Sequence, residues 1–218
     1  MARYFAGSTN RLCVSNSVVS TDNFYTFACW FNPVNITACH TLMALSDYST
    51  NHYAVLCARG DKASDPLWAH TFTRTSSYAV TSTGFVANTW QHGCAVFAAA
   101  DDRRVYLNGG GKGTQGTNQD FTAQDNFCIG RAHVAAGGPG SAIEGSIAEA
   151  AIWNGVLTDA EIAVLATGIR PILVRPESLA LYLPLIRDND KDLIGGLSFT
   201  VTGTASISDH APIIYGAL

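Results

Sequence analysis

Short apolar runs, separated by turn-forming residues, recur along most of the chain. Phe24–Phe31 is apolar on both of the faces that an extended chain presents, because alternate side chains of a strand point to opposite sides. This pattern predicts a central strand that is covered on both faces. Trp90–Gly109 has strong β-forming residues on both sides of an Asp-Asp turn, which predicts a hairpin.

One short α-helix is predicted near residues 159–167, after an apolar strand and an Asn-Gly turn. Thr158 and Glu161 have the spacing of a capping box, in which each side chain bonds a backbone N–H that the helix start leaves unpaired. Gly168 is placed to end the helix in a left-handed conformation, and Pro171 prevents its continuation. A single helix among many strands is informative, because most all-β sandwiches lack this unit.

The domain organisation is predicted to be simple. Leu179–Leu185 returns to the sandwich as a further strand, and no linker divides the chain before it. Residues 1–187 are therefore predicted to form one domain. Residues 188–218 form a C-terminal extension that either completes the sandwich or docks on a partner.

Two glycine-rich stretches, Asn108–Thr117 and Ala135–Ala142, have the composition of loops. Gly111, Gly113 and Gly116 spell the dinucleotide-binding fingerprint, which works only where a helix begins and receives the pyrophosphate. These glycines follow a strand but open no helix, so we interpret them as a flexible hairpin loop.

Four segments, taken in chain order, resemble the laminin-G-like, concanavalin A-like jelly-roll family. They are Phe24–Pro33, Thr89–Gly109, Asn126–His133 and Ile143–Gly168. The last of them is similar to the family's closing motif, in which a glycine, a strand and a short helix end the sandwich. The resemblance implies an all-β fold: an antiparallel two-sheet jelly-roll sandwich with one short α-helix.

Composition and charge exclude some functions. The net charge of -4 argues against nucleic-acid binding, which needs a basic face. No apolar run approaches the ~20 residues that span a bilayer. The N-terminal residues lack the apolar core of a secretory signal, so we expect the protein to be made in a host cytoplasm without a signal peptide. In that compartment thiols stay reduced, and we expect free thiols at all six cysteines: Cys13, Cys29, Cys39, Cys57, Cys94 and Cys128.

Carboxylates suggest calcium as the one candidate cofactor, and no pattern requires a cofactor. Asp188, Asp190 and Asp192 alternate as in a calcium loop, but an EF-hand would need glycine and glutamate where Leu193 and Phe199 stand. The resemblance implies an acidic pair in the strand near the closing motif, where this chain has Ala148 followed by Glu149. Glu144 and Glu149 could still contribute to a calcium site.

The sequence contains few arrangements of residues that could support catalysis, so we do not predict an enzyme. No strand carries the alternating carboxylates that glycosidases on related jelly rolls use, and the GxSxG nucleophile motif is absent. Exposed aromatic rings can instead stack on sugar faces. The candidates for that contact are Tyr48, Tyr53, Trp68 and Tyr78, although core packing would explain any one of them.

Two functions follow. The first is a structural or display protein on a virus surface, as a phage capsid decoration or tail-associated homo-oligomer that contacts capsid or tail proteins. Its docking residues would be Pro212, Ile213, Ile214 and Tyr215 in the apolar tail. The alternative is a stand-alone lectin or adhesin, extracellular and calcium-dependent or not, whose partners are cell-surface glycans. Neither function involves nucleic acid or membrane insertion.

Overall fold

A computed structural model describes residues 1–16, 18–19, 24–121, 124–135, 141–186 and 190–214, without the side chains of 141 and 205. The strands in this part of the chain are β1 (Ala2–Ala6), β2 (Arg11–Val14), β3 (Tyr25–Pro33), β4 (Cys39–Asp47), β5 (His52–Arg59), β6 (Pro66–Phe72), β7 (Ser76–Gly84), β8 (Gln91–Ala99), β9 (Asp102–Leu107), β10 (Gly110–Gln115), β11 (Asn126–Ile129), β12 (Ser141–Ala142), β13 (Glu144–Trp153), β14 (Leu179–Leu183), β15 (Thr200–Thr202) and β16 (Ala205–Ser208). Helix α1 spans Asp159–Leu165, and two 3₁₀ turns span Pro171–Leu173 and Pro176–Ser178.

The strands form two sheets that pack face to face. Sheet I has the order β10-β9-β8-β3-β13-β1-β16, with β14 paired to the second half of β13. Sheet II has the order β15-β2-β11-β4-β5-β6-β7, with the short β12 parallel to β4. The other strand pairs are antiparallel, so the predicted two-sheet jelly-roll sandwich is confirmed. No helix in the described ranges is both long and apolar enough to cross a membrane.

The main core lies between the sheets. Strand β3 is central in sheet I, between β8 and β13, as its two apolar faces predict. Phe27, Cys29 and Phe31 point into the core, while Ala28 and Trp30 point to the outer face, where other segments cover them. The core is built from large apolar side chains of both sheets, among them Phe5, Phe27, Phe31, Leu42, Leu56 and Phe127.

The helix forms where the capping box predicts it. The backbone N–H of Thr158 donates to Glu161 Oε2 at 2.7 Å, and the N–H of Glu161 donates to Thr158 Oγ1 at 3.3 Å. Gly168 follows the helix in the left-handed region, with φ of 96°. Ile162 and Leu165 are buried against the outer face of sheet I, so α1 covers that face.

The glycine-rich stretch after Leu107 is not a loop throughout, because Gly110–Gln115 forms edge strand β10. In this position β10 of sheet I passes very close to β7 of sheet II. A Cβ atom built on Gly113 would stand 1.8 Å from the carbonyl oxygen of Val80. The glycines therefore allow two strand backbones to approach closely. In the second glycine-rich stretch, residues 136–140 lie outside the described residues and Ser141–Ala142 forms β12.

The C-terminal residues join both sheets. Strand β15 pairs with β2 of sheet II, and β16 pairs with β1 of sheet I. Beyond them Ala211 is buried beside Trp30 on the outer face of sheet I, and the N–H of Ile214 donates to the Gly168 carbonyl at 2.9 Å. This part of the extension is packed on the sandwich.

One expectation about the cysteines is wrong, because Cys13 and Cys128 form a disulfide. The two residues are directly opposite each other in the β2–β11 ladder and both point away from the core. Neighbouring strands bring their side chains together although 115 residues separate them in the sequence. Cys29, Cys39, Cys57 and Cys94 form no disulfide.

Candidate functional site

The outer face of sheet II carries a group of aromatic side chains. On β5 the even-numbered residues Ala54 and Leu56 enter the core, so Tyr53 and Arg59 point outward. The same alternation on β6 and β7 turns further side chains outward. We call this surface the aromatic face, and it consists of Tyr53, Arg59, Trp68, His70, Phe72 and Tyr78.

Three side chains of the aromatic face form a layered stack across β5, β6 and β7. The rings of Trp68 and Tyr78 are parallel within 2°, with centroids 3.8 Å apart. The Arg59 guanidinium carbon lies 3.9 Å from the Trp68 ring centroid. Trp68 is therefore covered on both faces and only 8% exposed, whereas Tyr78, on the edge strand, is 38% exposed. Tyr78 is the ring of this stack that a ligand can reach.

Arg59 is fixed in the stack by its own turn. Its Nε and Nη2 atoms donate to the two carboxylate oxygens of Asp61 at 2.6 and 2.7 Å. This ion pair lowers the pKa of Asp61 to about 2. A two-pronged contact of this kind orients the planar guanidinium group, which holds it flat on Trp68.

His70 lies under the rings of the aromatic face. Its ring is nearly perpendicular to those of Tyr53, Trp68 and Tyr78. Burial, and then the positive charges of Arg59 and Arg103, lower the pKa of His70 to about 4. The ring is therefore neutral at pH 7. Among the described residues, neither ring nitrogen of His70 has a hydrogen-bond partner, and the same holds for Trp68 Nε1.

The segment of residues 131–135 crosses the outer face of sheet II beside the aromatic face. Ala132 and Val134 pack on apolar side chains of β4 and β5. The Ser46 hydroxyl donates to the His133 carbonyl at 2.8 Å and holds the segment on β4. Tyr48, 45% exposed, lies beyond this segment, with its ring centroid 4.8 Å from that of His133.

Three of the four predicted aromatic residues therefore meet on one surface. Tyr53, Trp68 and Tyr78 belong to the aromatic face, and Tyr48 lies at a separate place on the same sheet. The sequence prediction did not include His70 and Phe72 in this surface. A signal existed for both, because they follow Trp68 at the two-residue spacing that puts side chains on one face of a strand.

The predicted calcium ligands do not meet at one place. Glu144 accepts a hydrogen bond from the Asn35 amide, and Asp190 pairs with Arg3. Both carboxylate oxygens of Asp192 accept backbone N–H groups, including Gly195 N at 2.7 Å, so this side chain closes a turn. Asp188 is outside the described residues. Within the described ranges, no three His, Cys, Asp or Glu side chains are close enough to hold a metal ion.

Glu149, the other predicted ligand, is buried in sheet I at a bulge of β13. It has a left-handed φ of 53°, at the point where the register with β3 shifts. The Tyr182 hydroxyl donates to Glu149 Oε2 at 2.5 Å, and His210 Nε2 lies 3.5 Å from Oε1. Burial raises the pKa of Glu149 to about 7, against the opposite effects of Tyr182 and the positive charge of Arg170.

The predicted docking residues lie near α1. Ile213 packs against the outer face of sheet I, and Ile214 is 50% exposed. Pro212 is exposed, and its carbonyl lies close to Gly168. Tyr215 is outside the described residues.

Comparisons with known proteins agree with this architecture. A family model described as the concanavalin A-like lectin/glucanases superfamily matches residues 6–163. Among curated proteins, none matches the chain in sequence.

Solved structures share the fold at low sequence identity. A heptameric SAP-like pentraxin from Limulus polyphemus is 14% identical, with 95% of this chain and 94% of that chain covered and a TM-score of 0.65. A proposed carbohydrate binding protein from Bacteroides ovatus is 19% identical, with 99% and 62% covered and a TM-score of 0.68. The CBM40 domain of a Ruminococcus gnavus IT-sialidase, bound to α2,3-sialyllactose, is 11% identical, with 75% and 95% covered and a TM-score of 0.58. These likenesses show a lectin-type fold.

Proposed function

Because the chain belongs to the concanavalin A-like lectin/glucanases superfamily, we propose that it is a non-enzymatic glycan-binding protein whose binding site is the aromatic face of sheet II. The observation that carries the proposal is the Tyr78 ring, which is stacked flat on Trp68 and open to solvent. Among the described residues, no ring other than that of Trp68 lies parallel to the Tyr78 ring. Sugar rings present C–H groups that pack on such an aromatic surface, and a few polar groups nearby then fix their orientation.

The polar groups beside Tyr78 suit a neutral hydroxyl. The His70 ring is uncharged at pH 7 and has both a donor and an acceptor nitrogen. Both nitrogens lack partners among the described residues, and so does the Trp68 N–H. These atoms are buried, so a ligand hydroxyl can bond them only when the neighbouring rings move, and such a bond would remove the cost of an unpaired buried polar group.

The same face gives little support to catalysis. Retaining glycosidases need two carboxyl groups about 5 Å apart, one of them protonated. On the aromatic face the Asp61 carboxylate is held by Arg59 and its pKa is lowered to about 2. It is therefore an ionised partner of Arg59, unsuited to act as a general acid at neutral pH.

A glycan array with the purified protein tests this proposal, run once with calcium and once with a chelator. We expect Tyr78→Ala to weaken binding by about tenfold or more, the loss of one stacked aromatic contact. Phe24→Ala is the matched control, because it removes an aromatic ring that is 48% exposed and lies outside this face. Equal binding by wild type and Tyr78→Ala would contradict the proposal. Loss of binding with chelator would indicate calcium dependence.

A second proposal keeps the display role on a virus surface. Its support is three exposed apolar side chains of the C-terminal residues: Val201 on edge strand β15 at 41%, Ile207 on edge strand β16 at 42%, and Ile214 at 50% exposure. Exposed apolar groups at a sheet edge can bury surface against other copies or a capsid protein. Sedimentation should then show an oligomer that Ile207→Asp dissociates. A monomeric wild type that does not co-sediment with virus particles would contradict this role.

A further inference from the structure

A second group of polar side chains lies on sheet II, on and beside the segment 131–135 and away from the aromatic face. Arg11 points outward from β2, because its neighbour Leu12 enters the core. Arg131 follows β11, which pairs with β2, so the two arginines are brought together. Burial, and then the positive charge of Arg131, lower the pKa of Arg11. We call Arg11, Arg131, His133 and Tyr48 the basic rim.

The two arginines of the basic rim lack an acidic partner within the described ranges. Arg131 donates to a neutral acceptor, the Ser8 carbonyl, at 3.0 Å. This is unlike several other arginines of the chain, which each have a carboxylate: Arg3 with Asp190, Arg59 with Asp61, Arg104 with Asp102 and Arg175 with Glu161. Two neighbouring guanidinium groups repel each other, and an anion placed between them would relieve that repulsion.

His133 connects the arginines to an aromatic ring. Its pKa is lowered by burial and then by the positive charge of Arg11, and raised in part by Asp125. On its other side, the His133 ring packs against Tyr48. Asp125 is the acidic group at this place, and its Oδ1 accepts the Tyr48 N–H at 3.1 Å. The basic rim therefore combines an exposed ring with two cationic groups.

We propose that the basic rim binds an acidic glycan, with one carboxylate bonded to Arg11 and Arg131 and another sugar ring of the same glycan packed on Tyr48. Planar guanidinium groups match carboxylate geometry and hold it with two parallel hydrogen bonds. This inference rests on the proposed glycan-binding function and adds a charge preference to it. A nucleic acid is a poorer fit, because the chain has a net charge of -4 and the rim has only two arginines.

Paired probes test the charge preference. They are immobilised oligosaccharides of galacturonic, glucuronic and mannuronic acid, each beside its carboxyl-reduced, neutral counterpart. We expect the wild type to prefer at least one acidic probe over its neutral counterpart by about tenfold or more, as charge-assisted hydrogen bonds would give. The double variant Arg11→Gln/Arg131→Gln should lose this preference and bind both members of the pair equally.

Arg74→Gln is the matched control, since it removes one positive charge from an exposed turn of the same sheet, between β6 and β7. It should keep the preference, and thermal unfolding should show that all variants are folded. Binding of no acidic probe, equal binding of both pair members by the wild type, or an unchanged preference in the double variant would overturn the inference. Each of these results is compatible with neutral glycan binding that Tyr78→Ala abolishes, which would support the proposed function by itself. The proposed function and this inference can therefore fail separately.

Discussion

The two outer faces of the sandwich differ in what covers them. On sheet I, α1 and the C-terminal residues bury the face, and Trp153, Ile162 and Tyr182 are fully inaccessible. On sheet II, the segment 131–135 lies across part of the face, and Tyr48 and Tyr78 are exposed on either side of it. The face of sheet I is therefore covered by packed segments of the fold, while that of sheet II keeps aromatic and cationic groups available to a ligand.

Buried polar groups occur under both faces. On sheet I the Tyr182 hydroxyl donates to the buried Glu149, and the Trp153 N–H donates to the Val174 carbonyl at 2.8 Å. His92 Nδ1 on the same sheet and both His70 nitrogens on sheet II lack partners within the described residues. The two faces therefore differ in what covers them and not in how their polar groups are paired. Three predictions test this contrast between a structural face and a binding face.

The largest expected effect is on the disulfide that ties β2 to β11 on the outer face of sheet II. Cys13→Ser/Cys128→Ser removes a cross-link between residues 115 apart in sequence. On the chain-entropy model, a loop of this length contributes about 5 kcal/mol to the free energy of unfolding. Urea unfolding of the double variant should show a loss of that order.

Reductant provides the control for this prediction. It should lower the unfolding midpoint of the wild type and leave that of the double variant unchanged, because Cys29, Cys39, Cys57 and Cys94 form no disulfide in either. A wild type whose midpoint does not respond to reductant would contradict the disulfide. Strands β2 and β11 on the outer face of sheet II would then be held together without a covalent cross-link.

A slightly smaller effect is expected from the covered face. Trp153→Ala should reduce the free energy of unfolding by about 4 kcal/mol, since it leaves a large cavity under α1 and removes the bond to Val174. Glycan binding by the protein that remains folded should be unchanged. Tyr78→Ala should show the reverse, with stability close to that of the wild type and binding lost. Equal losses of stability in the two variants would mean that both faces serve the fold.

Local signals in the sequence predicted the framework well. Thr158 and Glu161 determine the helix start through contacts three residues apart, which a sequence shows directly. The two apolar faces of Phe24–Phe31 placed β3 in the middle of a sheet. The glycines of β10 were misinterpreted because glycine is typical both of loops and of strands whose backbones approach closely. Only the position of β7 beside Gly113 distinguishes the two.

The candidate site depends on contacts between distant residues, which the sequence does not show. Trp68 meets Arg59 and Tyr78 only because β6 pairs with β5 and β7 in one register. A shift by one residue would turn Trp68 into the core. For the same reason Cys13 and Cys128 could not be paired from spacing alone, and the arginines of the basic rim could not be brought together.

The smallest of the three effects is a pH dependence on sheet I. Glu149 has a pKa of about 7 in the folded protein, against an ordinary value of 4.5. Below pH 4.5 it is protonated in both states. Between pH 4.5 and 7 the unfolded chain gives up this proton while the folded protein keeps it, so rising pH favours unfolding. At 1.36 kcal/mol per pKa unit, Glu149 should remove about 3 kcal/mol of stability by pH 7.5.

Histidines oppose this trend in the wild type. Burial lowers the pKa of His70, His92 and His210, so their contribution to stability falls as the pH drops below their ordinary value of 6.5. Subtracting the unfolding free energy of Glu149→Gln from that of the wild type at each pH cancels the histidine contributions, which both proteins share. We expect the difference in unfolding free energy, wild type minus variant, to fall by about 3 kcal/mol from pH 4.5 to 7.5. A difference that is constant with pH would mean that Glu149 is solvated in the folded protein, contrary to its burial in sheet I.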